Sequence, residues 1–147
     1  MDELFPLTGL ITPNLSEAAA LAGFPVRTKG AMKRAARVIK AKTGGSVLIK
    51  GGHLTGKAID LFFDGESFLE FSSPRIKTGK THGTGCTFST AIAVFWGKGY
   101  SLVEAVGQAK DFITQSIAGA QPVGHGLWPT DPYGWLQNRM EKEGVSS

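Results

Sequence analysis

The order of short apolar runs and helical patterns is the feature that most constrains what this chain can fold into. Residues 9–12 (GLIT) and 46–50 (SVLIK) are short aliphatic runs, and each predicts a buried strand. Two further runs, residues 57–63 and 67–71, flank an Asp-Gly pair and predict a hairpin. Helical patterns follow the first run and the hairpin. The sequence therefore predicts an α/β layered fold with a mostly parallel sheet and flanking helices.

Caps and residue spacing predict five helices. Asn14 followed by Glu17 is a capping-box start, while Gly23 ends the first helix and Gly44 ends the second. The predicted helices cover residues 15–22, about 28–41, the segment after Gly85 to about 98, 102–118 and 132–144. The apolar residues predicted to face inward on the second, third and fourth helices are Met32, Ala35, Ala36 and Ile39; Phe88, Ile92 and Phe95; and Val103, Val106, Ala109, Ile113 and Ile117. Residues 121–132, rich in Gly and Pro, predict a loop, and the tail at 145–147 is expected to be loose.

Composition places the chain among folded proteins of one domain. It has 147 residues, of which 41% are hydrophobic and 19% charged, and this balance excludes a disordered chain. The net charge is +4, and the densest basic run lies at residues 29–42. Basic and apolar residues alternate there at helical period. We therefore interpret the run as the solvated face of a helix rather than as a nucleic-acid surface.

The chain carries no visible targeting or membrane signal. Its start, MDELFPLTGL, has no basic region followed by an apolar run, and no apolar run approaches the ~20 residues that span a membrane. The single cysteine, Cys86, excludes an internal disulfide, which fits a reducing compartment. We expect a cytoplasmic protein that binds neither membrane nor nucleic acid.

The sharpest motif is residues 81–87 (THGTGCT), followed directly by a helical pattern. Gly83 and Gly85 allow close approach of the backbone to a ligand, and the amides at a helix start favour an anion. Phosphoryl transfer needs such a place for developing charge. The motif is not a P-loop, because no Lys-Ser or Lys-Thr follows the second glycine. Two glycines before a helix also occur at ordinary connections.

Cys86 allows two interpretations. The field at the helix start stabilises a thiolate, which could accept a proton from a substrate hydroxyl or phosphate. Alternatively, Cys86 is a small buried residue that fills space where the helix meets the sheet. The residue spacing by itself leaves both open.

Two further features carry possible chemistry. Lys50 ends a predicted parallel strand, where ligands bind in open α/β sheets, and could contact phosphate oxygens; the alternative is an ordinary surface lysine. Capping alone explains Asn14 and Glu17, although Glu17 could also hold Mg²⁺ through water.

The other polar residues carry no pattern that predicts a catalytic role. Asp60 and Asp64 are interpreted as turn and surface acids on the hairpin. His53 and His82 lack neighbours at zinc-ligand spacing. The Gly-rich loop at 124–126 is either a ligand lid or a connection.

Taken in order, residues 12–18 (TPNLSEA), 50–53 (KGGH) and 81–87 (THGTGCT) resemble the hydroxymethylpyrimidine phosphate kinases of thiamine biosynthesis, in the ribokinase-like superfamily. The resemblance runs from about residue 7 to 117. Cys86 separates this branch from relatives that carry Asp at its position. Residues 124–133 are only loosely similar to the family's last segment, so no role is carried over to them.

The resemblance implies transfer of the ATP γ-phosphoryl group to hydroxymethylpyrimidine and then to its monophosphate, with Mg²⁺. The residues that match the family's site are Gly83, Thr84, Gly85 and Cys86 for the anion hole, Cys86 for the base, Lys50 for phosphate contact, and Asn14 and Glu17 for the metal and its waters. A pyridoxal or pyridoxine kinase of the same branch stays open as an alternative. So does a non-catalytic nucleotide-binding or interaction module.

The resemblance also implies that residues 1–147 form a single catalytic half domain, the C-terminal half of a three-layer fold. Family members are about twice as long, and their N-terminal half supplies the first strands, the pyrimidine pocket and the lid. A half sheet exposes an unpaired edge. We therefore expect self-association, or a partner chain that supplies the missing half.

Overall fold

The computed structural model describes residues 5–52, 58–74, 76, 81–121 and 128–142. The chain forms two compact units, Met1–Arg75 and Ile76–Ser147. The predicted features that lie outside the described residues are His53, the start of the first hairpin strand at 57, the loop residues 122–127, the helix end at 143–144 and the tail at 145–147.

The first unit contains a mixed sheet with two helices. A short 3-10 turn precedes the first strand. The elements are the turn Phe5–Leu7, strand β1 Leu10–Ile11, helices α1 Leu15–Ala22 and α2 Lys29–Thr43, and strands β2 Ser46–Gly51, β3 Ala58–Phe63 and β4 Phe68–Ser73. The strand order is β1-β2-β3-β4; β1 and β2 run parallel, whereas β2-β3 and β3-β4 are antiparallel. The predicted α/β class is confirmed, but the sheet is mixed, because the hairpin adds its two strands directly beside β2.

Side-chain and glycine caps set the ends of both helices in the first unit. The Thr28 side chain accepts a hydrogen bond from the Ala31 amide at the start of α2. Gly23 and Gly44 follow α1 and α2 with φ of 82° and 74°, a left-handed conformation that favours glycine. The predicted helix ends at these two glycines are confirmed.

The core of the first unit lies between α2 and one face of the sheet. All four predicted stripe residues of α2 are buried, and the core residues they join include Val47, Ile49 and Leu61. Leu48 and Phe62 leave the opposite face of the sheet and are also buried. The middle of β2 is therefore buried on both faces, as its continuous aliphatic run predicts.

The second unit is mainly helical. It contains strand β5 Thr81–His82, helices α3 Thr84–Gly97 and α4 Leu102–Ala118, strand β6 Trp128–Pro129 and helix α5 Pro132–Lys142. β5 and β6 pair in parallel. The predicted loop at 121–132 is wrong at its end, because residues 128–129 pair with a distant strand that no local pattern reveals.

Apolar packing between α3 and α4 forms the core of the second unit. Phe88, Ile92 and Phe95 are buried as predicted. Val103 is an exception on α4, since 39% of its surface is exposed while neighbouring Ala105 is buried. On α5, Trp135 makes edge-to-face contacts with Phe95 and Phe112, which joins the last helix to this core.

Among the described residues, no helix combines the length and apolar character that crossing a membrane requires.

Candidate active site

The start of α1 holds the first pair of predicted site residues. The Asn14 side chain accepts a hydrogen bond of 2.9 Å from the Glu17 amide, and Glu17 Oε2 accepts one of 2.8 Å from the Asn14 amide. This reciprocal pair is a complete capping box. Asn14 is half-buried and Glu17 is exposed. Capping therefore explains the spacing, and a metal role has to be additional to it.

Lys50 lies beside this pair, although it is distant in sequence. Asn14 and Lys50 are partners in a parallel β-bridge, and the Lys50 amide donates a 2.8 Å hydrogen bond to the Pro13 carbonyl. The carboxyl ends of β1 and β2 thus meet at one edge of the sheet, the edge at which open α/β sheets bind ligands. Lys50 is half-buried. The first unit therefore brings together Asn14, Glu17 and Lys50.

Asp60 corrects the sequence-based interpretation. The sequence predicts a turn or surface acid, but only 4% of the Asp60 surface is exposed, and Asp60 lies directly opposite Lys50 in the β2-β3 pair. Its Oδ1 accepts a 3.0 Å hydrogen bond from the Gly51 amide. The sequence does carry one signal of this burial, which is the position of the acid within the apolar run of a predicted strand. Asp64, by contrast, is exposed at the hairpin turn as predicted.

An open groove runs beside the start of α1 and is lined in part by Asn14. Its lining residues are Asn14, Leu15, Ser16, Ala19, Pro25, Val26 and Arg27. Arg27 supplies the only charged side chain of this lining. The groove therefore offers polar atoms and one positive charge.

The oxygen donors at this edge fit Mg²⁺ but do not form a closed metal cage. Carboxylate and amide oxygens are hard ligands, and Mg²⁺ on a nucleotide usually keeps several waters. Each carboxylate oxygen has more lone pairs than the capping bond uses, so Glu17 can also accept from a metal-bound water. Within the described part of the chain, no group of three or more His, Cys, Asp or Glu residues could hold a metal ion. These residues therefore suit a magnesium ion that they contact through bound water.

The start of α3 holds the second set of predicted residues. Gly83 precedes the helix with φ of 81°, and no side chain caps this end. The Thr87 amide donates a 3.0 Å hydrogen bond to the Gly83 carbonyl. The amides of Thr84, Gly85 and Cys86 precede this first helical bond, so they have no acceptor within α3. Together with the positive end of the helix dipole, they form a candidate anion hole.

Cys86 belongs to the first turn of α3 and is exposed. The interpretation of Cys86 as a buried residue that fills space is therefore wrong. An exposed thiol at a helix start is accessible to a substrate, and the helix dipole favours its thiolate form. The second unit thus presents the four residues Gly83–Cys86 as one continuous segment.

The comparisons with known proteins identify the family. The family model for phosphomethylpyrimidine kinase matches residues 1–131. The chain belongs to the phosphomethylpyrimidine kinase family.

Curated relatives show how much of a complete protein this chain represents. It is 46% identical over 131 residues to the thiamine biosynthesis bifunctional protein ThiED of Geobacter sulfurreducens, covering 88% of this chain and 27% of that protein. It is 42% identical over 132 residues to the hydroxymethylpyrimidine/phosphomethylpyrimidine kinase of Streptomyces coelicolor, covering 90% of this chain and 49% of that kinase. The chain thus spans about half the length of this kinase.

Solved structures show the same fold. The pyridoxal kinase of Bacillus subtilis, in an ADP complex, superposes with a TM-score of 0.88 at 39% identity, over 93% of this chain and 54% of that one. The phosphomethylpyrimidine kinase of Clostridium difficile superposes with a TM-score of 0.65 at 36% identity, over 78% and 45%. Both are ribokinase-like kinases, so the predicted fold is confirmed for the part of it that this chain contains.

Proposed function

We propose that this chain is the nucleotide-binding and catalytic half of a kinase that phosphorylates hydroxymethylpyrimidine and its monophosphate in thiamine biosynthesis. One observation carries the proposal: α3 begins without a side-chain cap, and its first turn contains the exposed Cys86. Three amides without helical acceptors suit a phosphoryl group, and the adjacent thiol suits proton removal. The family membership of the chain supports this reading.

The proposed chemistry follows from these groups. An acceptor oxygen attacks the γ-phosphorus of ATP, and the bond from that phosphorus to the β-phosphate oxygen breaks, which releases ADP. The acceptor is the hydroxyl oxygen of hydroxymethylpyrimidine or a phosphate oxygen of its monophosphate. Cys86 Sγ takes the hydroxyl proton as general base. The amides of Thr84, Gly85 and Cys86 donate hydrogen bonds to the oxygens of the phosphoryl group while it is transferred.

The first unit is proposed to bind the nucleotide's phosphates. The Lys50 ammonium contacts phosphate oxygens as a point charge. Asn14 and Glu17 would hold Mg²⁺ through water, and bound Mg²⁺ would neutralise part of the phosphate charge. The capping box keeps both side chains at the start of α1. We propose ATP and Mg²⁺ as the ligands of this chain. We also propose that residues 1–147 form a single half domain and that the protein acts in the cytoplasm.

A pyridoxal kinase is the second candidate, and a specific observation favours it. The superposition on the Bacillus subtilis pyridoxal kinase has the higher TM-score, 0.88 against 0.65 for the Clostridium difficile phosphomethylpyrimidine kinase. The curated relatives favour the pyrimidine substrate instead. Both substrates present a primary alcohol on a nitrogen heterocycle, so the same chemistry serves either.

We further propose that a second chain completes the fold, either another copy or a partner that supplies the remaining half. β1 is an edge strand of the described four-stranded sheet, with only β2 beside it. Its two residues, Leu10 and Ile11, are apolar and half-buried. An open edge of this kind accepts another strand. Sedimentation that shows a stable monomer at micromolar concentration would contradict self-association.

Calorimetry with Mg²⁺ and the non-hydrolysable analogue AMP-PCP tests nucleotide binding by the chain itself. We expect saturable binding in the micromolar to millimolar range. Absence of binding would refute the nucleotide-binding proposal and favour an interaction module.

Turnover with ATP and, in separate assays, hydroxymethylpyrimidine, its monophosphate and pyridoxal tests the reaction. The assay uses the chain with its completing half and compares wild type with Cys86→Ala. We expect a loss of about 10²- to 10⁴-fold in kcat with unchanged AMP-PCP affinity. Thr90→Ala, an exposed change one turn further along α3, is the matched control and should leave kcat unchanged. Equal turnover in Cys86→Ala would refute the role of the thiol as base.

A further inference from the structure

Asp60 is a buried acid in the middle of the sheet, where an acidic side chain is unusual. Among the residues that the structure describes, it is the only buried acid. A carboxyl group removed from water is costly unless it is hydrogen-bonded. Asp60 lies directly opposite Lys50 across the β2-β3 pair, so both side chains leave the same face of the sheet. This places the buried carboxyl next to the proposed phosphate contact.

The carboxyl group of Asp60 binds the backbone immediately after Lys50. Its Oδ1 accepts a hydrogen bond of 3.0 Å from the buried Gly51 amide. Gly51 has no room for a side chain, because a Cβ there would overlap the carbonyl oxygen of Ile59. The Ile59 carbonyl therefore packs against the Gly51 backbone, while the Asp60 carboxyl accepts the hydrogen bond from the Gly51 amide. A side chain on β3, rather than backbone pairing alone, holds the end of β2.

The other side of the same strand end is held as well. The Lys50 amide donates its 2.8 Å hydrogen bond to the Pro13 carbonyl, at the end of β1. Consecutive amides of β2 are thus bound from opposite directions, one by Pro13 and one by Asp60. These two bonds hold the backbone on both sides of the Lys50 Cα, from which its side chain leaves the sheet.

We propose that Asp60 is a positioning residue for Lys50: its buried carboxyl holds the Gly51 amide and so aims the lysine at phosphate. The inference rests on the proposed phosphate-binding role of Lys50. Asp60 contacts the Gly51 amide, and the proposal assigns it no contact with nucleotide or acceptor. Its effect passes through the backbone, so the location of the acceptor oxygen matters more than its charge.

Amide hydrogen exchange of the wild-type chain gives the first test and needs no variant. The Gly51 amide is expected to exchange at least about 100-fold more slowly than the amide of exposed Gly52. Equal exchange rates at Gly51 and Gly52 would overturn the proposal, because the Asp60 bond would then not persist in solution.

Two variants of the full chain separate positioning from general stability. Asp60→Ala removes the acceptor, whereas Asp60→Asn keeps an acceptor oxygen in the same place. The readout is the acylation rate of each lysine, measured by mass spectrometry well below the unfolding temperature. In Asp60→Ala, Lys50 should react at least about threefold faster, since its strand end is released. In Asp60→Asn, Lys50 should react at the wild-type rate.

Lys29 serves as the internal reference, because it lies at the start of α2 and its 3.1 Å ion pair is with Glu70 on β4 rather than with the end of β2. A rise at Lys29 and Lys50 together would mean general loosening and would overturn the proposal. So would an unchanged Lys50 rate in folded Asp60→Ala. If Asp60→Ala does not fold, a wild-type rate in Asp60→Asn supports the proposal, and a raised rate overturns it.

AMP-PCP affinity then links Asp60 to the proposed function. Asp60→Ala should bind at least about fivefold more weakly than wild type, and Asp60→Asn within twofold of it. Absence of binding by wild type would remove the proposed function, while the exchange and acylation results would still decide whether Asp60 positions Lys50. Equal affinity in all three proteins would overturn the link to phosphate.

Discussion

Asn14 and Lys50 face each other in a parallel β-bridge at the carboxyl ends of β1 and β2. The bridge places the start of the capped helix α1 beside the half-buried Lys50, although helices α1 and α2 separate the two residues in sequence. One edge of the first unit therefore carries hard oxygen donors and a positive charge side by side. This combination suits a phosphate with its metal ion.

Replacing Lys50 tests the positive charge at this edge. Lys50→Met keeps most of the aliphatic stem and removes the ammonium, so AMP-PCP affinity should fall about 10- to 100-fold. Calorimetry measures the loss, and thermal unfolding checks that the variant is folded. Lys98→Met, at an exposed lysine after α3, should bind like wild type. Equal affinity in Lys50→Met would contradict the phosphate contact.

Replacing Glu17 separates capping from metal binding. Glu17→Gln keeps the side-chain oxygen that completes a capping box, so its free energy of unfolding should stay within about 0.5 kcal/mol of wild type. The Mg²⁺ concentration needed for half-maximal nucleotide binding should rise about tenfold, because a carboxylate no longer holds the metal's waters.

The second capping box of the chain provides the control for Glu17. Ser101 and Glu104 form the same reciprocal hydrogen bonds at the start of α4. Glu104→Gln should leave the Mg²⁺ dependence of nucleotide binding unchanged. If Glu17→Gln behaves in the same way, Glu17 is only a cap.

Gly83 should be intolerant of any side chain, even though space is available. Nothing lies within 4 Å of a Cβ built there, but its φ of 81° is unfavourable for other residues. Gly83→Ala should destabilise the protein by about 1–2 kcal/mol. Gly97→Ala, at the end of the same helix and equally open, should instead stabilise it by up to about 1 kcal/mol. Chemical denaturation measures both, and a neutral Gly83→Ala would contradict the left-handed conformation.

The hairpin turn should make stability depend on acid pH. Hydrogen bonds from the Ser67 and Glu66 amides to Asp64 Oδ1, each 2.7 Å, hold the pKa of Asp64 below its ordinary value of 3.8. A lowered folded-state pKa adds stability that is fully present above 3.8 and is lost as pH falls through the folded value. Asp64→Asn should therefore lose less stability than wild type between about pH 5 and pH 2. Parallel curves for the two proteins, from unfolding midpoints at each pH, would contradict this.

Local patterns predicted much of the fold. The Asn14–Glu17 box, the glycine ends of α1 and α2 and the buried stripe of α2 all appear in the structure. Each depends on interactions within about one or two helical turns, and such interactions can be read from spacing. The spacing left Cys86 either a reactive thiol or a buried residue, and its exposure at the first turn of α3 came from the structure.

Other features depend on pairing between distant segments. The antiparallel pairing of β2 with β3 makes the sheet mixed, and the pairing of β5 with β6 turns part of a predicted loop into a strand. The exposure of Val103 likewise reflects which face of α4 meets a neighbour. Helical period alone does not choose between adjacent positions at a helix start.

The sequence by itself determined the family, the helix caps and the identity of the candidate site residues, because these depend on residue type and short spacing. Only the tertiary structure decided that Lys50 lies beside Asn14 and that Asp60 is buried opposite Lys50. Strand register brings such residues together, and register is set by long-range pairing and burial. An acid in a hairpin sequence therefore looked like a surface residue until the strand that it faces was known.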